Sequence, residues 1–379
     1  MKQSTTMVLK DFINSSFKKL KGLVLYFSLF IFFSFVSCKK NDNEKIDPIQ
    51  KKFILNLPVY FGEYFIPSNN PLTEDGIQLG RMLFYEKLLS KDSSISCSSC
   101  HIQKFAFSDS SRFSKGVNGF TKRNSMALVN LVYNRTFFWD GRVSSLEEQA
   151  LIPIQDHVEM NLSLDEAIRR LSSKTIYKQQ FKKAFGSSDI TAEKIAKALA
   201  QFQRTLISAD SKYDRYLKGK AKLTLSEYNG MILFQTHPEP ERSIRGGNCG
   251  DCHTMFRTDG LGFENNGLDE EYNDQGRYII TGNDHDKGKF RIPTLRNIAV
   301  TAPYMHDGRF KTLKEVLDHY NEHVKNHPNL SPLIAEASNT PNGKKLDLTE
   351  KEKNDIIAFL NTLTDTNFLN NPNFSNPFE

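Results

Sequence analysis

Apolar positions along this chain recur mostly at helical spacing, and the strict alternation of a half-buried strand is nearly absent. Ile195, Leu199, Phe202 and Leu206 form a stripe at a period of 3.6 residues. Earlier, Ile77, Phe84 and Leu88 can share one helix face, with Gly80 on the same side leaving room for a close neighbour. A further helix over 226–235 carries Met231 and Phe234, and Leu313, Val316, Leu317 and Tyr320 follow i, i+3, i+4, i+7. Ser145-x-x-Glu148, Thr312-x-x-Glu315 and Thr349-x-x-Glu352 read as capping boxes that open helices. The pattern predicts a mainly α-helical protein with long loops, breaking near Tyr216 to Leu223, where a Lys- and Gly-bearing connector joins two halves.

Composition narrows the class. The 379 residues allow one large domain or two ordinary ones. With 25% charged and 39% hydrophobic residues, the chain is not collagen-like, coiled-coil, polytopic in a membrane or disordered. The net charge of +6 is unevenly placed: residues 1–37 hold five Lys and one Asp. Beyond them Lys and Arg outnumber Asp and Glu by only two, which gives no electrostatic case for a nucleic-acid partner. Lys10, Lys18, Lys19 and Lys21 precede an apolar run from Leu23 to Val36 that suits a signal-peptide core and is short for a membrane span. Ser37-Cys38 after it resembles a bacterial lipobox, with Cys38 as the lipidated first residue of the mature protein; an ordinary signal peptide with an incidental Cys, or an uncleaved anchor, are the alternatives. Polar residues 38–50 then read as a tether to a membrane surface.

The remaining four Cys fall in two pentapeptides, Cys97-Ser-Ser-Cys100-His101 and Cys249-Gly-Asp-Cys252-His253. Cys-x-x-Cys-His is the attachment frame of c-type haem, in which two thiols add to the vinyl groups and the His reaches the iron. A thioredoxin-like redox pair or half a zinc site are the competing readings. Neither redox chemistry nor zinc explains two frames that each end in His, and no further Cys or paired His stands beside either one. Two covalent haems, 152 residues apart, predict two haem domains: 51–217 and 218–366, with 367–379 as a tail of unassigned role.

At this point the sequence resembles the bacterial dihaem cytochrome c peroxidase family, and within it the MauG-like branch, from about Leu72 to Leu363. The resemblance rests on LGRMLFYEKLLSKDSSISCSSCH, FFWDGR, the Gln149–Glu159 segment and IPTLRNIAVTAPYMHDGRFKTLKEV. It implies two cytochrome c-like haem domains, a peroxide site at the N-terminal haem on His101, and an electron-accepting C-terminal haem on His253. It also implies Glu159 as proton shuttle, Gln149 ordering water beside it, and Trp139, the only Trp, as relay between the haems. His157 is a weaker shuttle candidate. Typical members carry a His ligand in the loop after the first frame; here no His stands between His101 and Asn124, which predicts an open first haem, with Lys115 and Met126 as rival ligands. Counting from Pro303 places Tyr320 where typical members have Met and MauG-like ones Tyr, as distal ligand of the second haem; Met305 and His306 are rivals, and His319, His323 and His327 read as surface residues. A calcium ion would be held by Asn124, Thr301 and Pro303. The implied partners are hydrogen peroxide and a small cytochrome c or other periplasmic donor, with a homodimer common in the family. Peroxide-dependent oxidation of a partner protein or small molecule is the second reading, and a non-enzymatic dihaem electron carrier or sensor the third.

Overall fold

The computed structural model describes residues 51–253 and 262–379; the leader, Cys38 and the tether lie outside them. Helices of six or more residues run over Glu74–Tyr85 (α1), Leu146–Gln155 (α2), Leu164–Ser172 (α3), Thr175–Phe185 (α4), Ala192–Arg204 (α5), Lys212–Leu217 (α6), Leu225–Gln235 (α7), Leu313–Asp318 (α8) and Glu350–Asn361 (α9). Among the described residues the only sheets are two antiparallel ladders, Lys115–Gly116 (β1) with Gly119–Phe120 (β2) and Phe263–Glu264 (β3) with Phe290–Arg291 (β4). No described helix is long and apolar enough to cross a membrane.

One helix crossing is built twice. Thr73 opens α1 by accepting from the Gly76 N–H, and Glu74 and Asp75 occupy its positive first turn. The helix then packs on α5 so closely that a Cβ at Gly80 would sit 1.9 Å from the Ala198 carbonyl oxygen. In the second half α7 packs on α9, and a Cβ at Gly230 would sit 1.8 Å from the Asp355 carbonyl oxygen. Only glycine allows either approach. Each crossing brackets one Cys-x-x-Cys-His frame. On α1 the inward face is Gly76, Leu79, Gly80 and Leu83. Ile77 is half-buried and Leu88 lies in a 3-10 turn past the helix end, because the glycine approach decides which side turns inward.

The two largest apolar cores among the described residues follow from these crossings. The first gathers Leu79, Leu83, Phe84, Phe107, Leu199 and Phe202, each worth roughly 1.5–3 kcal/mol when fully buried. The second gathers Met231, Phe234, Leu317, Ile356 and Phe359, and also Tyr213 from α6. Arg296 joins them: its two Nη atoms lie 2.9 Å from the Asp214 carboxylate oxygens, with both side chains almost wholly out of water. Phe368 and Phe374, past the second core in sequence, return to pack in the first. Ser145, Thr312 and Thr349 cap their helices as the spacing predicts, the last two as complete capping boxes.

Candidate active site

Both frames place an imidazole with one defined tautomer. Cys97–Cys100 forms a single helical turn, and the His101 Nδ1 lies 2.8 Å from the Phe107 carbonyl oxygen. In the second frame the His253 Nδ1 lies 3.1 Å from the Pro293 carbonyl oxygen. A carbonyl can only accept, so each Nδ1 carries the proton and each Nε2 keeps a lone pair for a metal. Burial lowers the pKa of both rings, that of His253 to about 4, which keeps them neutral. Burial also pushes the thiols of Cys97 and Cys249 up to about 12 and those of Cys100 and Cys252 to about 11. A thioredoxin-like pair would have a lowered thiol pKa, the opposite direction. Among the described residues no group of three or more His, Cys, Asp or Glu is placed to hold a metal ion.

All six frame residues line one cavity of about 1040 Å³. That is at the top of the range for a pocket holding a single ligand, ~300–1,000 Å³. Half-buried thiol pairs, imidazoles whose Nδ1 atoms are bonded to carbonyls and this volume fit two haem groups.

The cavity wall beside the first frame carries Gln149, from α2, and Glu159. Glu159 sits in a loop pinned from several sides. Its N–H and that of Val158 donate to the Asp156 carboxylate, and its carbonyl accepts from the Val117 N–H at 2.7 Å. A Cβ at Gly116 would stand 2.0 Å from the Val158 carbonyl oxygen, so the β1–β2 hairpin lies directly against this loop. The hairpin falls in the stretch after the first frame, which holds no His between His101 and Asn124. Burial raises the Glu159 carboxyl to about 7, Asp156 adds to the rise, and Arg142 opposes it. Arg142 is held by Asp140 at 2.9 Å and lies 3.5 Å over the Phe138 ring. His157 is exposed, its carbonyl accepting from Asn118. Lys115 is exposed and outside the cavity wall, whereas Met126 is part of it.

Trp139 lines the same cavity. Its indole Nε1 donates to the Asn124 carbonyl at 2.8 Å, and its own carbonyl accepts from the Arg291 N–H at 2.7 Å. On the side of the second frame, α8 runs into a π-helical turn, His319–His323, and Tyr320 lies in it. Such turns often mark functional positions. Tyr320 lines the cavity; burial raises its phenol to about 12, and Cys252 and Cys249 add to the rise. Met305 lines it too. The Asn266 Nδ2 donates to both candidates, at 3.3 Å to the Tyr320 hydroxyl and 3.5 Å to the Met305 sulfur. His306 is stacked on Phe290 with ring centroids 3.6 Å apart. His319 is buried and bonded to the Asn266 carbonyl, not at the surface as the sequence suggests, and His327 is half-buried against Tyr272; His323 is exposed.

A family profile described as di-haem cytochrome c peroxidase matches residues 74–222. Methylamine utilization protein MauG of Methylorubrum extorquens is 33% identical over 312 residues, covering 78% of this chain and 80% of the relative. Cytochrome c551 peroxidase of Nitrosomonas europaea is 33% identical over 305 residues, covering 79% and 83%. The chain belongs to the dihaem cytochrome c peroxidase family. A solved MauG-like protein associated with microbial copper homeostasis superposes with a TM-score of 0.78 at 36% identity, over 86% of this chain and all of that one. The chain is thus a helix-rich oxidoreductase of the dihaem peroxidase type, whose family implies two c-type haems.

Asn124, Thr301 and Pro303 line the cavity as well. The Asn124 Nδ2 donates to the Ser111 and Arg112 carbonyls, which turns its Oδ1 away from those bonds. Sequence reasoning missed several partners. It gave no role to Asn266, to the Phe107 and Pro293 carbonyls, or to Arg123, which bridges Asp140 and Asp274 at 2.6 Å each. Backbone acceptors carry no residue-type signal, and the ion pairs span 17 and 151 positions of chain.

Proposed function

We propose that this chain is a dihaem peroxidase of the cell envelope, with haem-bearing halves that divide near Leu217. One haem is held by Cys97, Cys100 and His101, the other by Cys249, Cys252 and His253. Bound there, the first haem supplies the open iron position at which hydrogen peroxide is cleaved. The Glu159 carboxylate takes a proton from the peroxide and returns it to the departing oxygen, with Gln149 ordering the water between them. Trp139 would stand in the electron path, and the Tyr320 hydroxyl would hold the iron of the second haem. The observation that carries this reading is a half-buried carboxyl, raised toward neutrality, on the wall of a cavity shared by two tautomer-fixed imidazoles. An electron carrier needs no such group.

Electrons come from a small cytochrome c or similar donor. Oxidation of a partner protein or small molecule is the second reading, favoured by the hairpin that replaces a ligand loop and by Tyr320 in the cavity wall. Calcium at Asn124, Thr301 and Pro303, and a lipid on Cys38, complete the proposal. The test pairs low-temperature electron paramagnetic resonance of the oxidised dihaem protein with peroxide consumption. One high-spin and one low-spin haem without His/Met character, together with turnover, are expected. Two low-spin haems, one of them His/Met, would overturn both the open site and the Tyr320 assignment.

A further inference from the structure

We propose that residues 366–378 brace the proximal imidazole of the first haem, acting through Phe107 as a positioning residue. The inference rests on the reading of His101 as haem ligand. The carbonyl that accepts from the His101 Nδ1 belongs to Phe107, and Ala106 and Phe107 are consecutive non-glycine residues with φ of 54° and 58°. Backbone in this left-handed region persists only where its surroundings hold it there. The holding contacts are aromatic. The buried Phe107 ring meets Phe84, Phe368 and Phe374 edge-on, with centroids 5.9, 5.8 and 6.4 Å away. Two of those three rings come from the 366–378 segment.

That segment is itself tied to the first haem's half. The Arg81 guanidinium donates to the Ser375 and Pro372 carbonyls at 2.7 and 2.8 Å. The Tyr85 hydroxyl donates to the Phe374 carbonyl at 2.7 Å, and the Gln103 Nε2 to the Asn371 carbonyl at 2.9 Å. Among the described residues the second frame shows no such pair of left-handed residues at its acceptor, which is Pro293. A carbonyl held on Nδ1–H raises the basicity of the imidazole and favours oxidised iron. The segment therefore sets the potential of the first haem and leaves the second untouched.

The test uses the dihaem protein with Phe374→Ala, and with Arg81→Gln and Gln103→Ala combined. The tether variant leaves the aromatic core intact and decides the matter if Phe374→Ala fails to fold. The expected result is a lower Fe–His stretching frequency by resonance Raman and a higher midpoint potential at the first haem. The second haem's paramagnetic signal stays unchanged, and peroxide turnover falls by roughly 10–100-fold, the range for lost outer partners of a ligating His. Variants that carry two haems and match the wild type in stretch and potential overturn the brace alone. A wild-type protein with no covalent haem on the first frame overturns the haem reading instead.

Discussion

Replacing Glu159 by Gln removes an ionisable group and keeps the shape of the side chain. A positioned acid–base group contributes typically 10²–10⁴-fold to rate, about 2.7–5.4 kcal/mol of barrier. The carboxyl must be ionised to accept the first proton. With its pKa raised to about 7, wild-type turnover rises with pH and levels off above neutrality. Stability moves in the opposite direction. The folded pKa lies above the unfolded value of 4.5, so the group favours folding fully below about pH 4.5, and that advantage is lost as pH rises through 7. Glu159→Gln is therefore as stable as the wild type at pH 4 and more stable above pH 7, by at most about 3 kcal/mol. The assay is the initial rate of peroxide consumption from pH 5 to 9, with thermal melts at both ends. Activity within threefold of wild type, or an unchanged pH limb, would refute the assignment and move the proton to another group. Low activity with lower stability at pH 8 would mean simple misfolding.

Three further perturbations separate the remaining roles. Tyr320→Phe removes a hard oxygen donor, so the second haem's potential rises and its spectrum changes while Met305→Leu leaves both alone; the reverse pattern would assign Met305. Trp139→Phe slows electron transfer between the haems in stopped-flow reduction with both spectra intact, and costs about 1 kcal/mol through the lost bond to the Asn124 carbonyl; an unchanged rate would remove Trp139 from the path. Arg296→Met strands the buried Asp214 carboxylate and lowers stability by about 3–5 kcal/mol in denaturant unfolding, whereas a change under 1 kcal/mol would mean that water reaches Asp214.

Helical periodicity and capping chemistry are local, and they were legible: the Ile195–Leu206 stripe is buried throughout, and Thr312 and Thr349 start helices where their spacing says. On α1 the close approach at Gly80 and the burial of Phe84 were legible, whereas Ile77 is only half-buried and Leu88 falls past the helix end, because two backbones meeting at Gly80 set which side turns inward. The Cys-x-x-Cys-His frames were legible as chemistry, since thiol pairs with an adjacent His have few uses. The resemblance alone suggested Glu159; its raised pKa comes from burial beside Asp156, which no spacing rule contains. The partners that orient His101 and His253 are main-chain oxygens six and forty residues away, and every residue type has one.

The two halves share one scaffold, a glycine-mediated crossing around a haem frame, and so their separate tasks must arise outside it. Around the first frame the additions are the pinned Glu159 loop, the hairpin packed against it and a proximal carbonyl held by aromatic rings. Around the second they are a π-helical turn bearing Tyr320 and the Pro293 carbonyl. The scaffold repeats because burying a large apolar ring system beside two thiols is the same packing problem each time. On the proposed reading the additions differ because opening one iron to a small oxidant and closing the other against it are opposite problems. Exchanging the loops between the halves should therefore move the chemistry without moving the crossings, since neither Gly80 nor Gly230 contacts the residues that distinguish the two sites.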